Sequence, residues 1–176
     1  MKLDIALKYG VIGGLASIIF QFIIYLIAPQ VVSTNPWLFL VYVPILFCMI
    51  FGGITCREQF NNIISFNKAF INTLTIAIVA VLMVNVFTYR ILMTIINPGI
   101  IELIKTHALK LVNEVADKRG LSDETVADAT KKIENLTVNT LETIAWSVSL
   151  TFSILLSVIV SLFIKRGEQK TIINQE

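Results

Sequence analysis

Charge is scarce in this chain. Asp, Glu, Lys and Arg together make up 15% of its 176 residues, the formal net charge is +2, and there is a single histidine, His107. So small a basic excess, with no stripe of Lys and Arg interleaved with aromatics, excludes a nucleic-acid-binding surface. One isolated histidine, without clustered Cys, Asp or Glu at metal-ligand spacing, excludes a zinc protease or a haem protein, and no metal or other cofactor is expected. Serines without a neighbouring base are not nucleophiles. No glycine-rich phosphate loop or dinucleotide fingerprint is present, so an ATP-driven activity would need another subunit. The two cysteines, Cys48 and Cys56, fall ~12 Å apart along one predicted helix, too far for a disulfide whose Cα atoms lie within ~7 Å. No enzymatic activity is expected.

Apolar residues are what the chain has in excess: 56% of it is hydrophobic and its mean hydropathy is +0.80, far outside the range of a soluble domain. Four runs, roughly 8–28, 36–55, 69–96 and 143–164, reach the ~20 residues that a helix needs to cross a hydrocarbon core. The predicted fold is all-α, a single membrane domain over 1–176, built as an integral membrane four-helix bundle in the lipid bilayer. Although MKLDIALK is a basic start, the run after it exceeds the ~7–15 apolar residues of a signal peptide and has no small-x-small cleavage site, so the first span is expected to be retained.

Basic residues at the span ends orient the chain. Lys2, Lys8, Arg57, Lys68, Lys165, Arg166 and Lys170 fall on one side if the helices alternate, and the loop Pro29 to Asn35 is uncharged. Both termini are therefore predicted to be cytoplasmic. The third loop argues the other way, with Lys105, Lys110, Lys118, Arg119, Lys131 and Lys132, and its acidic residues weigh little in this rule.

Arg90 stands in the apolar stretch FTYRILMTIINPG. Counting from Lys68, it lies about 33 Å along a helix of ~1.5 Å rise, a full bilayer core, which puts it at the outer headgroup level with its stem in the acyl region. The sharper reading draws it inward and requires a partner. Glu142, just before the fourth span, stands at the same level and is the predicted ion-pair partner.

Pro98 is predicted to break the third helix, because proline disfavours helix at the residue before it and suits the first turn of the next. Residues 97–142 then form an extramembrane amphipathic helical insert. Ile101, Ile104, Ala108, Leu111, Val112 and Val115 make one stripe, closed by Lys118-Arg119-Gly120. Ser122 is the N-cap of a second helix, with Val126, Ala129, Ile133 and Leu136 as its stripe. The pair is read as a projecting hairpin, with helices lying flat in the interface as the alternative; the second helix can run nearly straight into the fourth span. The sequon Asn135-Leu136-Thr137 is short and sits on a predicted helix, a poor acceptor, and takes no role.

Small and polar residues recur inside the spans: Gly10, Gly14, Ser17 and Gln21; Cys48, Gly52 and Cys56; Thr73, Ala77 and Asn85; Ser149, Ser153, Ser157 and Ser161. Where lipid supplies no hydrophobic force between helices, such stripes let backbones approach closely, and they are read as packing faces. The functional reading is a polar pathway along Gln21, Asn85 and the serines. Pro44 is read as a kink in the second span.

Over residues 64–99, ISFNKAFINTLTIAIVAVLMVNVFTYRILMTIINPG, the chain resembles an uncharacterised family of four-span bacterial membrane proteins, catalogued as domain of unknown function 4199. ALKYGVIGGLAS near the start, an inner loop ending SFNKAF, a third span ending before a proline, a polar outer insert and a last span closed by IKRG extend the likeness over nearly the whole chain. Relatives often carry Asp before that proline, where this chain has Asn97. The resemblance implies a bacterial inner (cytoplasmic) membrane protein and supplies no activity, substrate or catalytic residue. The expected role is structural or protein-interaction, with a homo-oligomer or a membrane protein partner engaged through residues 100–142. The alternative is a small passive transport or channel component.

Overall fold

The computed structural model describes residues 3–28 and 36–165, with side chains from Leu40 onward in the second stretch. Lys2, the loop Pro29 to Asn35, Arg166 and Lys170, which entered the orientation reading, lie outside the described residues. The order of elements is α1 (Leu3–Ile27), α2 (Pro36–Glu58), α3 (Phe66–Asn85), a π-helical segment (Val86–Ile96), α4 (Ile100–Arg119), α5 (Asp123–Glu134) and α6 (Val138–Ile164). Among the described residues four helical stretches are long and apolar enough to cross a membrane: Leu3–Ile27, Leu40–Glu58, Phe66–Ile96 and Val138–Ile164. The protein is an all-helical, multi-pass membrane protein.

Its packing inverts the soluble pattern. On α1 the buried residues are Ile5, Ala6, Gly10, Gly13, Gly14, Ser17 and Gln21, while Leu15, Ile19, Ile23 and Leu26 face outward. On α6 Ala145, Ser149, Ser153, Ser157 and Ser161 are inside, and Ile144, Val148, Leu155 and Phe163 are outside. Large apolar side chains gain nothing by leaving lipid for the interior, whereas small ones there allow close van der Waals contact between helices.

The long α3 touches all three other spans, and α1 and α2 also pack on each other. Tyr9 with Thr55 and Ser17 with Val41 run α1 and α2 antiparallel. Gly10 against Val79 and Gly14 against Met83 run α1 and α3 parallel. Thr73 with Ser161 and Arg90 with Glu142 run α3 and α6 antiparallel. The far ends of α1 and α3 therefore share one face with the start of α6.

Three local outcomes differ from the sequence reading. The third span ceases to be α-helical at Val86: its bonds lengthen to i→i+5, as in Asn97 N–H to Leu92 carbonyl at 2.9 Å. More residues per turn mean less rise, so Arg90 lies less far along the axis than an α-helix would carry it. Pro98 sits in the break, with Gly99 as N-cap of α4, so it precedes the new helix rather than occupying its first turn. The helix carrying the fourth span begins at Val138, upstream of 143, because Thr137 is an N-cap whose hydroxyl accepts from Thr140 N–H at 3.2 Å. That cap also separates α5 from α6.

α4 ends at Gly120, whose φ of 61° is the left-handed conformation that glycine adopts without strain. Ser122 caps α5 by accepting from Thr125 N–H at 3.4 Å. α4 and α5 pack on each other, yet α4 buries only Ile100 fully and α5 buries no residue fully.

Candidate functional site

The polar residues of the spans converge in the interior. Ser17, Gln21, Asn72, Thr73, Asn85, Thr88, Ser149, Ser153, Ser157 and Ser161 are all buried. Thr88 and Asn72 were not singled out in the sequence. Their signal was present, as polar residues in apolar runs, but one hydroxyl or amide there does not say which way it faces.

Gln21 meets Thr88 from α1. Its Nε2 donates to the Thr88 hydroxyl at 2.9 Å, and the single Thr88 proton is shared between Gln21 Oε1 at 3.0 Å and the Val84 carbonyl at 2.8 Å. Lower in the same helix, the Thr73 hydroxyl lies 2.9 Å from that of Ser161, joining α3 to α6. Ser157 Oγ donates to the Ser153 carbonyl at 2.7 Å, and Ser161 Oγ donates likewise to Ser157. Ser157 and Ser161 therefore spend their protons on their own helix and present small surfaces to α3.

The glycines set the spacing. A Cβ on Gly10 would lie 2.8 Å from Val79 Cβ and 3.1 Å from the Ile76 carbonyl, and one on Gly14 would lie 3.2 Å from Ala80 Cα. Both glycines face α3, and Gly13 faces Cys48 of α2. Ser17 Oγ donates to the Val41 carbonyl at 2.9 Å, next to the turn where Pro44 supplies no N–H.

Among the described residues, the buried polar atoms Tyr42 Oη, Arg57 Nε, Asn72 Oδ1, Asn85 Nδ2 and Ser153 Oγ have no hydrogen-bond partner. Tyr42 Oη is close to Ser149 and Ser153 without reaching hydrogen-bond geometry. Asn72 does use its other side, donating from Nδ2 to the Gly52 carbonyl at 3.4 Å.

At the α4–α5 end stands a charged pair. Arg90 Nη2 lies 2.5 Å from Glu142 Oε2, Nε donates to Oε1 at 3.3 Å, and Nη1 donates to Asn139 Oδ1 at 3.4 Å. The Arg90 side chain is 57% exposed and that of Glu142 only 12%. The carboxylate is thus held against the protein and the guanidinium faces out. Nearby, Asn97 Nδ2 donates to Tyr25 Oη at 3.1 Å and its Oδ1 accepts from Gly99 N–H at 3.1 Å. The carboxamide supplies both a donor and an acceptor there; an ionised Asp would supply acceptors alone.

Among the described residues, no group of three or more His, Cys, Asp and Glu side chains is placed to hold a metal ion. What the interior offers chemically is hydrogen bonding between neutral groups, with one ion pair at its edge. No curated protein and no solved structure matches this chain. A family model described as a protein of unknown function, DUF4199, matches residues 8–166, and the chain belongs to that family.

Proposed function

We propose that the protein is a non-catalytic structural or interaction component of the bacterial inner membrane, with both termini cytoplasmic and α4–α5 as its contact element on the opposite side. The observation that carries this reading is a row of apolar residues left uncovered on α4. α5 turns Val126, Ala129 and Ile133 toward partial cover and α4 does the same with Ile104, Ala108 and Val112, while Leu103, Leu111 and Val115 of α4 remain 46%, 39% and 40% exposed. Together with His107 these three make a row at four-residue steps along α4, a stripe on one helix face. A second copy or a membrane protein partner laid along that row would cover it. The test is crosslinking in native membranes, gentle purification and mass identification. A discrete partner joined through residues 100–142 supports the reading, and recovery of unlinked single chains overturns it.

A second reading, passive movement of a small neutral solute through the interior, draws on the unpartnered Asn72 Oδ1, Asn85 Nδ2 and Ser153 Oγ. Polar atoms left unpaired in a lipid-embedded interior are costly, and water or a solute would satisfy them. Single cysteines at Ser149, Ser153, Ser157 and Ser161, treated with a water-borne thiol reagent, separate the two readings. Reaction along the row favours passage, and uniform protection favours packing.

A further inference from the structure

Between α2, the π-helical segment and α6 the protein opens into a cleft of 280 Å³, whose walls include Tyr42, Tyr89, Leu141, Ala145, Val148 and Phe152. Its inner end is closed by Tyr42 and Phe152, packed edge to face with ring centroids 4.8 Å apart. From Leu141 to Phe152 α6 rises about 16 Å, roughly half of a ~30 Å hydrocarbon core and so the depth of one leaflet. At the outer end the lining residues Tyr89 and Leu141 are the chain neighbours of Arg90 and Glu142, so the ion pair stands one residue along each helix from the slot's lining.

The guanidinium at its mouth is not fully used. Of five N–H groups, two are directed at Glu142 and one at Asn139, which leaves two free on a side chain that is 57% exposed. We propose that the cleft holds one acyl chain of a phospholipid from the leaflet on the α4–α5 side, with the lipid phosphate on the outward N–H groups of Arg90. The slot itself selects hydrocarbon. A peptide segment would bring a run of N–H and C=O groups against walls whose polar groups are only the Tyr42, Tyr89 and Ser149 hydroxyls, too few to pair them, and a polar solute would lose most of its hydration there. Glu142 neutralises the charge of Arg90 while holding the fork in place, so recognition rests on directed N–H···O bonds to phosphate rather than on net charge.

This predicts a particular order among lipids. Phosphatidylglycerol and phosphatidylethanolamine compete within about threefold of each other, because each carries the phosphodiester, whereas a diacylglycerol, which lacks it, competes at least about tenfold more weakly. The experiment uses the full chain reconstituted in vesicles containing a phosphatidylglycerol with a photoreactive diazirine at mid-chain, followed by digestion and mass mapping of the adducts. Adducts should concentrate on α2 around Tyr42 and on α6 between Leu141 and Phe152, and should fall on adding unlabelled phosphatidylglycerol. Ala145→Phe, which fills the slot, and Arg90→Gln should each reduce this labelling, while Glu142→Gln should keep it. Labelling spread evenly over the lipid-facing helices overturns the proposal, and so does diacylglycerol competing as well as phosphatidylglycerol. The wild-type competition needs no variant, so it decides the matter even if a substitution prevents folding.

Discussion

Gln21 and Thr88, 67 positions apart in the chain, meet in the interior with Nε2 donating to Oγ1 at 2.9 Å. The pair ties α1 to the point where the third span has just become π-helical. Both side chains are buried, at 1% and 6% exposure, so neither can turn to water if the other is removed.

Thr88→Val is expected to destabilise the protein by about 1–3 kcal/mol, because it leaves a buried carboxamide without its partner. Adding Gln21→Leu should return much of that loss, since removing both polar groups removes the unpaired one. Unfolding in detergent of wild type, both single variants and the double variant measures it; a double variant as unstable as the sum of the singles refutes the pairing.

The Arg90–Glu142 pair should contribute far less. With the guanidinium 57% exposed, solvent screening limits the coupling to about 0.2–1 kcal/mol in a cycle of Arg90→Gln and Glu142→Gln, and added salt should lower it further. A coupling of several kcal/mol would show that the pair is held away from water.

Glycine substitutions should differ by position. Gly10→Ala drives a methyl into Val79 Cβ and the Ile76 carbonyl, which only a shift of α1 against α3 can relieve, at about 1–3 kcal/mol. Gly53→Ala meets first the tip of Ile164, a flexible side chain near the end of α6, and should cost about 1 kcal/mol or less. Thermal unfolding of the two variants side by side checks the order.

Leu111→Glu on α4 should leave the stability of the isolated protein within about 0.5 kcal/mol, since the residue is exposed. It should abolish a crosslinked partner that lies along the Leu103, Leu111 and Val115 row. Unchanged crosslinking would remove that row from the interface.

The spans and their rough limits follow from the sequence alone, because crossing a hydrocarbon core demands a run of apolar residues that composition reveals directly. Gly120 and Ser122 likewise mark their helix ends through local chemistry, a left-handed turn and a side-chain cap. The residues around Gly10 and Ser149 carry a spacing that puts them on one helix face, but the spacing does not name the facing helix. Only the tertiary structure assigned Gly10 and Gly14 to α3, Gly13 to α2 and Ser161 to Thr73. The bonds of Val86–Ile96 were equally hidden, since nothing in VFTYRILMTII distinguishes i→i+5 from i→i+4 bonding. Within that segment Thr88 meets Gln21 and Arg90 meets Glu142, contacts between distant parts of the chain. Hydropathy is a property of each residue and can be read along the chain, whereas register and cleft shape belong to pairs of helices and arise only when they pack.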